Sequence, residues 1–217
     1  MKKNDFIRAA RAPRRLRDQE HGLWKIGGQT RANCRGIATL LKRLGPFNDM
    51  TVLGRFTIEK AHFPFGDVVM EDSYAELETH WPIAEQAQGN VLVTGLGLGC
   101  VVRGLLAKPE VRHIDCIEID PWIFETVGKE FARNKRVTLH LGDALKFKPE
   151  KTWDFAWHDI YTEQGNGMPL ALLHTTLMAK TFKGKVGKQG AWNFPAELSK
   201  KMGLIAATRP TTEGGMK

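Results

Sequence analysis

Apolar positions Ile37, Leu40, Leu41 and Leu44 fall three and four apart within Arg31–Leu44, the spacing of one helical face, and Gly45-Pro46 ends that helix. Two β-rich runs follow, Thr51–Ile58 and Val68–Met70, and the stretch His62–Asp67 between them predicts a hairpin. Ser73 with Glu76 three residues on has the spacing of a capping box, so a helix starts there. From Asn90 the pattern changes to short continuous apolar runs alternating with helical ones. VLVTG, HIDCIEI, RVTLHLGDA and WDFAWHDIY read as strands; CVVRGLLAK and PWIFETVGKEFARN, the latter with Pro121 in its first turn, read as helices. Strands separated by helices of this length predict right-handed βαβ units and an α/β, doubly wound, mostly parallel sheet.

The two ends read differently. Residues 1–20 offer only Phe6, Ile7 and Leu16 as sizeable apolar side chains among seven basic ones, which predicts a basic, mobile or weakly helical tail. Residues 21–72 form a small helix and hairpin section, 73–181 the sheet domain, and 182–217 a basic segment. Beyond a helix at Met168–Thr181 the single strand candidate is Leu204–Thr208, so the C-terminal end is expected to be abbreviated.

Composition narrows the class of molecule. With 42% hydrophobic and 26% charged residues among 217, the chain fits one soluble domain with appendages and excludes collagen-like or fully disordered architectures. Val91–Ala107, the most apolar stretch, carries Arg103 and four glycines and is too short and interrupted to span a bilayer. The N-terminal residues lack the apolar core of a secretory signal, and Cys34, Cys100 and Cys116 form no CxxC pair, which argues against a disulfide framework and a cysteine-built zinc site. A reduced, cytoplasmic protein is expected. The net charge of +8 is concentrated in residues 1–17 and 180–217, which leaves the middle acidic and makes the ends either solvated tails or phosphate contacts.

The chemistry centres on Gly95-Leu96-Gly97-Leu98-Gly99, directly after one strand and before a helix. Glycine permits the sharp turn and lets a ligand approach the backbone, while the helix start offers free N–H groups. Glu118 closes the next strand, nineteen residues after Gly99, where a carboxylate accepts hydrogen bonds from both hydroxyls of a ribose. The dinucleotide fingerprint requires glycine or alanine at position 100, and Cys100 stands there instead.

The glycine spacing resembles the first motif of the class I S-adenosylmethionine-dependent methyltransferases, whose fold is Rossmann-like. Glu118 in IEIDP is similar to that family's ribose-binding acid, Gly142-Asp143-Ala144 to its adenine-edge motif, and Asp159 falls where the family places residues facing the reactive carbon. The stretch Tyr74–Pro82 resembles the Y-x-E-x-x-x-H-x-P that precedes the glycine loop in the spermidine-synthase-like branch. The resemblance covers about Ser73 to Tyr161. It implies S-adenosylmethionine as cofactor, held by Gly95, Leu96, Gly97, Gly99, Glu118, Ile119, Asp143 and Ala144. It also implies catalytic roles for Asp159 and Tyr161 and substrate contacts at Tyr74 and Glu163. Glu76 and His80 are expected to be structural, as a cap and a helix-face hydrogen bond, and His158 a hydrogen-bonded core histidine on the face opposite Asp159. Trp81 and Trp192 are candidate walls of an acceptor pocket.

The departures from the branch bear on the reaction. Aminopropyltransferases carry an acid in the glycine loop and an Asp-x-x-Asp after the fourth strand; this chain has Leu98 and Asp159-Ile160-Tyr161-Thr162. A polyamine carries several positive charges and needs several carboxylates. The [DNS]PP[YFW] loop of amino-directed DNA methyltransferases and the Pro-Cys of cytosine C5 enzymes are both missing. Methyl transfer to an undetermined acceptor is therefore expected, with an aminopropyltransferase, or a scaffold binding nucleic acid or a protein through its basic ends, as alternatives; a homodimer stays open.

Overall fold

A computed structural model describes residues 1–33, 38–55, 67–160, 167–192 and 196–206. The chain begins with helix α1 (Lys3–Ala10) and a single 3₁₀ turn at Arg14–Leu16. Strands β1 (Gln19–His21) and β2 (Trp24–Thr30), helix α2 (Ala38–Leu44), and strands β3 (Asp49–Arg55) and β4 (Asp67–Glu71) follow. These four strands form one antiparallel sheet in the order β1-β2-β3-β4. The expected hairpin is the β3–β4 pair. Strands β1 and β2 were not legible, because Gly27-Gly28 interrupts the alternation begun by Trp24 and Ile26.

The second sheet holds β5 (Gly89–Thr94), β6 (Val111–Glu118), β7 (Val137–Leu141), β8 (Trp153–His158), β9 (Val186–Ala191) and β10 (Leu204–Ala206). Its order is β10-β9-β8-β5-β6-β7 and every described pairing is parallel. Helices α3 (Tyr74–Ala84), α4 (Cys100–Leu106), α5 (Pro121–Thr126), α6 (Gly167–Thr181) and α7 (Ala196–Met202) accompany it. Val91 and Val93 join the core under α1, α3 and α4, whereas Leu92 joins Met178 and Phe182 of the α6 side. Burial on both faces is why β5 reads as a continuous apolar run. The strand order turns between β5 and β8, and in open α/β sheets a ligand crevice opens at the carboxyl ends of strands on either side of such a point.

Three local expectations change. The N-terminal residues are not a loose tail: Phe6, Ile7, Ala10 and Leu16 are buried. Phe6 enters the space left by Gly104 of α4, where a Cβ would stand 2.3 Å from the Phe6 ring. The basic residues there are engaged too. Asp72, fully buried, accepts from Arg11 Nε at 2.8 Å, and Asp49 accepts from Arg11 at 2.8 Å and from Arg14 at 2.5 Å.

The sheet domain also continues past Thr181, with β9, α7 and β10 completing six strands, so the expected boundary at 181 is corrected; the abbreviated end stands, with β10 on the expected strand candidate as the last described strand. β9 escaped detection because its glycines replace the usual apolar signal. A Cβ at Gly190 would stand 2.5 Å from Ile83 of α3, so the strand packs close to that helix. Finally, the helix expected over 121–134 stops at Thr126 and gives way to a 3₁₀ turn at Gly128–Glu130. Among the described residues no helix is long and apolar enough to cross a membrane.

Candidate active site

The loop after β5 is shaped by backbone demands. Gly95, Gly97 and Gly99 all have positive φ, at 90°, 52° and 75°. At Gly95 a Cβ would lie 1.9 Å from the backbone oxygen of Asp159, so only glycine lets the ends of β5 and β8 meet. The Asp159 N–H donates in turn to Thr94 O at 2.9 Å. Gly99 acts differently, as the N-cap of α4 packed on Phe131, and it is not among the described residues of the cavity walls.

Glu118, at the end of β6, is buried and ties this loop down. Its Oε2 accepts from Leu96 N at 2.8 Å and its Oε1 from Asp120 N at 2.8 Å. Burial pushes its pKa up, while the N–H groups of Asp120, Leu96 and Gly97 pull it back. Asp120 carries the connection onward. One of its oxygens caps α5 through Trp122 N and Ile123 N, at 2.9 and 3.1 Å, and the other accepts from Trp24 Nε1 of β2 at 2.7 Å. The glycine loop, the acid, the helix start and the N-terminal sheet are thereby joined in one hydrogen-bonded chain.

These groups enclose a cavity of about 490 Å³. Gly95, Gly97, Glu118, Ile119, Asp143, Ala144 and Asp159 line its floor, all from the carboxyl ends of β5 to β8. Its roof comes from the other sheet, through Trp24, Leu53, Arg55 and Val69. Ile119 is 65% exposed, an unusual state for isoleucine, and lines the cavity together with Ala144. Asp143 Oδ1 accepts from Leu145 N at 2.9 Å, which fixes the turn after β7. His174 of α6 also lines the cavity, a contribution no motif announced.

A small cavity of about 40 Å³ lies behind the loop, between Leu96, Gly97, Met70, Glu76, Asp159 and Trp192. Asp159 borders both cavities. Burial raises its pKa to about 7. His158, one residue earlier, faces the α6 side, where it stacks on Phe182 and makes hydrogen bonds with Thr94 Oγ1 and Gln189 Oε1, each at 3.1 Å. Its burial lowers the ring pKa to about 4.

The remaining expected residues divide. Trp192 stands in the small cavity, but Trp81 packs on Phe6, with ring centroids 5.7 Å apart, and is not among the described residues lining either cavity. Tyr74 packs edge-on against Phe47 and is likewise not among the described residues lining either cavity. Ser73 Oγ accepts from Glu76 N at 3.2 Å, as the cap requires. The Glu76 carboxylate turns instead to Arg43. His80 makes no hydrogen bond among the described residues; it packs edge-on against Trp157, with Nε2 3.9 Å from Glu76. Tyr161 and Glu163 lie outside the described residues.

No family model matches the chain. A polyamine aminopropyltransferase of Agathobacter rectalis is 30% identical over 135 residues, 57% of this chain and 45% of that protein. Ribosomal RNA small subunit methyltransferase A of Chromobacterium violaceum is 33% identical over 89 residues, 40% of this chain and 33% of that protein. An S-adenosylmethionine-bound amino pentose methyltransferase from Micromonospora echinaspora overlays with a TM-score of 0.38 at 18% identity, over 52% of this chain and 46% of that one. The parallel six-stranded sheet flanked by helices is a Rossmann-like α/β fold. The chain spans less than half the length of these two curated relatives.

Proposed function

We propose that this chain binds S-adenosylmethionine in the larger cavity and transfers its methyl group to an acceptor held beside Asp159. The observation that carries the reading is the convergence of Gly95, Glu118, Asp143 and Asp159, from four strand ends, on one cavity of about 490 Å³. That volume lies in the range of small-molecule sites. The donor set fits the cofactor. The Glu118 oxygens accept from Leu96 N and Asp120 N and, with about two acceptor sites each, keep capacity for a ribose hydroxyl. Ile119 and Ala144 offer apolar surface for a flat ring, and Asp143 an acceptor for its amino group. Gly142 also lines the cavity, and a Cβ there would meet nothing within 4 Å, which leaves open space for a ligand.

When bound, the cofactor supplies a methyl group activated by its sulfonium. The protein's part is positioning: Gly95 and Gly97 permit close backbone approach, and Glu118 fixes the loop that carries them. Asp159, with its pKa near 7, takes the acceptor's proton at neutral pH.

Similarity to polyamine aminopropyltransferases favours a second reading, transfer of an aminopropyl group. Against it stand the fully buried Leu98 in the loop and Thr162 in place of a second acid. Isothermal titration with S-adenosylmethionine, S-adenosylhomocysteine and decarboxylated S-adenosylmethionine separates the two. Binding of the first two, weakened tenfold or more by Glu118→Ala, is expected. A Glu118→Ala protein that binds them as tightly as the parent overturns the cofactor site, and preference for the decarboxylated form favours the aminopropyl reading.

A further inference from the structure

A second cavity, of about 480 Å³, lies under the β1–β2 turn and is lined by His21, Leu23, Trp24, Arg55, Asp120 and Trp122, among others. Trp24, Arg55, Asp120 and Pro121 line both this cavity and the larger one described above, so the two meet at a common wall. Its surface is aromatic. The His21 and Trp122 rings lie nearly parallel, 15° apart, and Leu23 beside them is 54% exposed.

Arg55 gives the wall its charge. Its guanidinium lies 5.5 Å from the Trp24 ring centroid and makes no ion pair or hydrogen bond with any described residue. Two acids share the wall: Asp120 is already committed to Trp24 Nε1 and to the start of α5, and Glu125 stands on α5 about one turn beyond Pro121. A guanidinium near an aromatic face, with no partner among the described residues, is suited to a carboxylate or phosphate, which it binds through two parallel hydrogen bonds.

We propose that this second cavity is a ligand subsite for a small aromatic compound bearing an anionic group, carboxylate or phosphate, with Arg55 holding the anion and the His21–Trp122 wall the ring. Resting on the proposed cofactor site next door, this subsite takes a compound that binds beside the cofactor, while the acceptor position stays at Asp159, which is not among the described residues lining the second cavity. A polyamine would bring its positive charge against Arg55.

The full chain is titrated with phenyl phosphate, benzoate, benzyl alcohol and spermidine, following tryptophan fluorescence, since Trp24 and Trp122 stand in the wall. Saturable binding of phenyl phosphate or benzoate, at least about tenfold tighter than benzyl alcohol and lost by a similar factor in Arg55→Gln, is expected. Whichever anion binds more tightly distinguishes phosphate from carboxylate. Arg55→Lys, which keeps the charge but not the fork, is expected to fall between the parent and Arg55→Gln. Equal binding of benzyl alcohol, preference for spermidine, no saturable binding of either anion, or an Arg55→Gln protein that binds like the parent would overturn the subsite. Glu118→Ala serves as the separate control: it is expected to lose S-adenosylhomocysteine and keep the anion, so failure of the cofactor site and failure of this subsite give different patterns.

Discussion

The Leu96 N–H donates to Glu118 Oε2 at 2.8 Å, binding the glycine loop after β5 to the acid that ends β6. One residue thereby shapes the site from two directions, since Glu118 both lines the cavity and holds the loop on its floor. Glu118→Gln keeps an acceptor for Leu96 N, whereas Glu118→Ala leaves that buried N–H without one, at a cost of about 1–3 kcal/mol. Thermal unfolding of both variants checks this: Ala is expected to melt well below Gln. Equal melting points would mean that the bond contributes nothing to loop order.

Glycine substitutions separate fold from ligand space. Gly95→Ala places a Cβ 1.9 Å from Asp159 O at a φ of 90°, so the variant is expected to be strongly destabilised or insoluble. At Gly142 a Cβ meets nothing within 4 Å, so Gly142→Ala is expected to melt like the parent while binding the cofactor less tightly. Calorimetry and titration on the pair test this, and a Gly95→Ala protein as stable as the parent would contradict it.

Asp159 predicts the pH profile. With its pKa near 7, the carboxylate form that accepts a proton gains population as pH rises through that value. Transfer rate with saturating substrates is expected to climb through about pH 7 and then level off. Asp159→Asn is expected to lower kcat by about 10²–10⁴ and remove that limb, with cofactor affinity little changed. A variant that retains the limb assigns the titration to another group.

Acid stability has two steps. His80 and His158 have pKa values lowered to about 4 by burial, so the unfolded chain takes up these protons first, near 6.5. Their contribution is complete above pH 6.5 and is lost as pH falls toward 4, about 3 kcal/mol each. Asp49 follows. Although burial raises its pKa, Arg17 and Arg11 outweigh that and hold it at about 2, so its contribution, about 2 kcal/mol, is present above pH 3.8 and lost as pH falls toward 2. Asp159, raised to about 7, gains stability as pH falls and opposes this trend, so urea unfolding is followed in the Asp159→Asn protein; at about pH 7, 5 and 3 it is expected to show successive decreases, and superimposed curves at the two higher values would count against neutral buried histidines.

The N-terminal helix is part of the core, and its removal tests that. Deleting residues 1–17 uncovers the face of α4 around Gly104 and leaves Asp49 and Asp72 without their arginines. The truncated protein is expected to be unfolded or aggregated, and Phe6→Ala alone to cost about 3–5 kcal/mol. A truncated chain with the parent's melting temperature would restore the loose-tail reading.

Local pattern alone determined the parallel sheet from Asn90 to His158, the glycine turn and the acid at the end of β6, whereas the aspartate beyond β8 was implied by the family resemblance. Each of the first three follows from a short-range rule: continuous apolar runs for strands buried on both faces, glycine where backbones must meet, and a ligand acid at a strand end. The sequence pattern did not disclose the N-terminal contribution, because α1 is stabilised by partners far along the chain. Phe6 needs the space at Gly104, and Arg11 needs Asp49 and Asp72. The same holds for the cavity roof and its neighbour. Trp24 and Arg55 acquire their place only when the antiparallel sheet folds over the carboxyl ends of the parallel one, and Trp24 is fixed there by Asp120, 96 residues away. β9 stayed hidden for a related reason, since Gly190 lies close to Ile83 of α3 and Gly187 close to the β8 backbone at Asp154, and the two leave no hydrophobic period to read. Nearest-neighbour chemistry wrote the floor of the site; long-range packing decided what covers it.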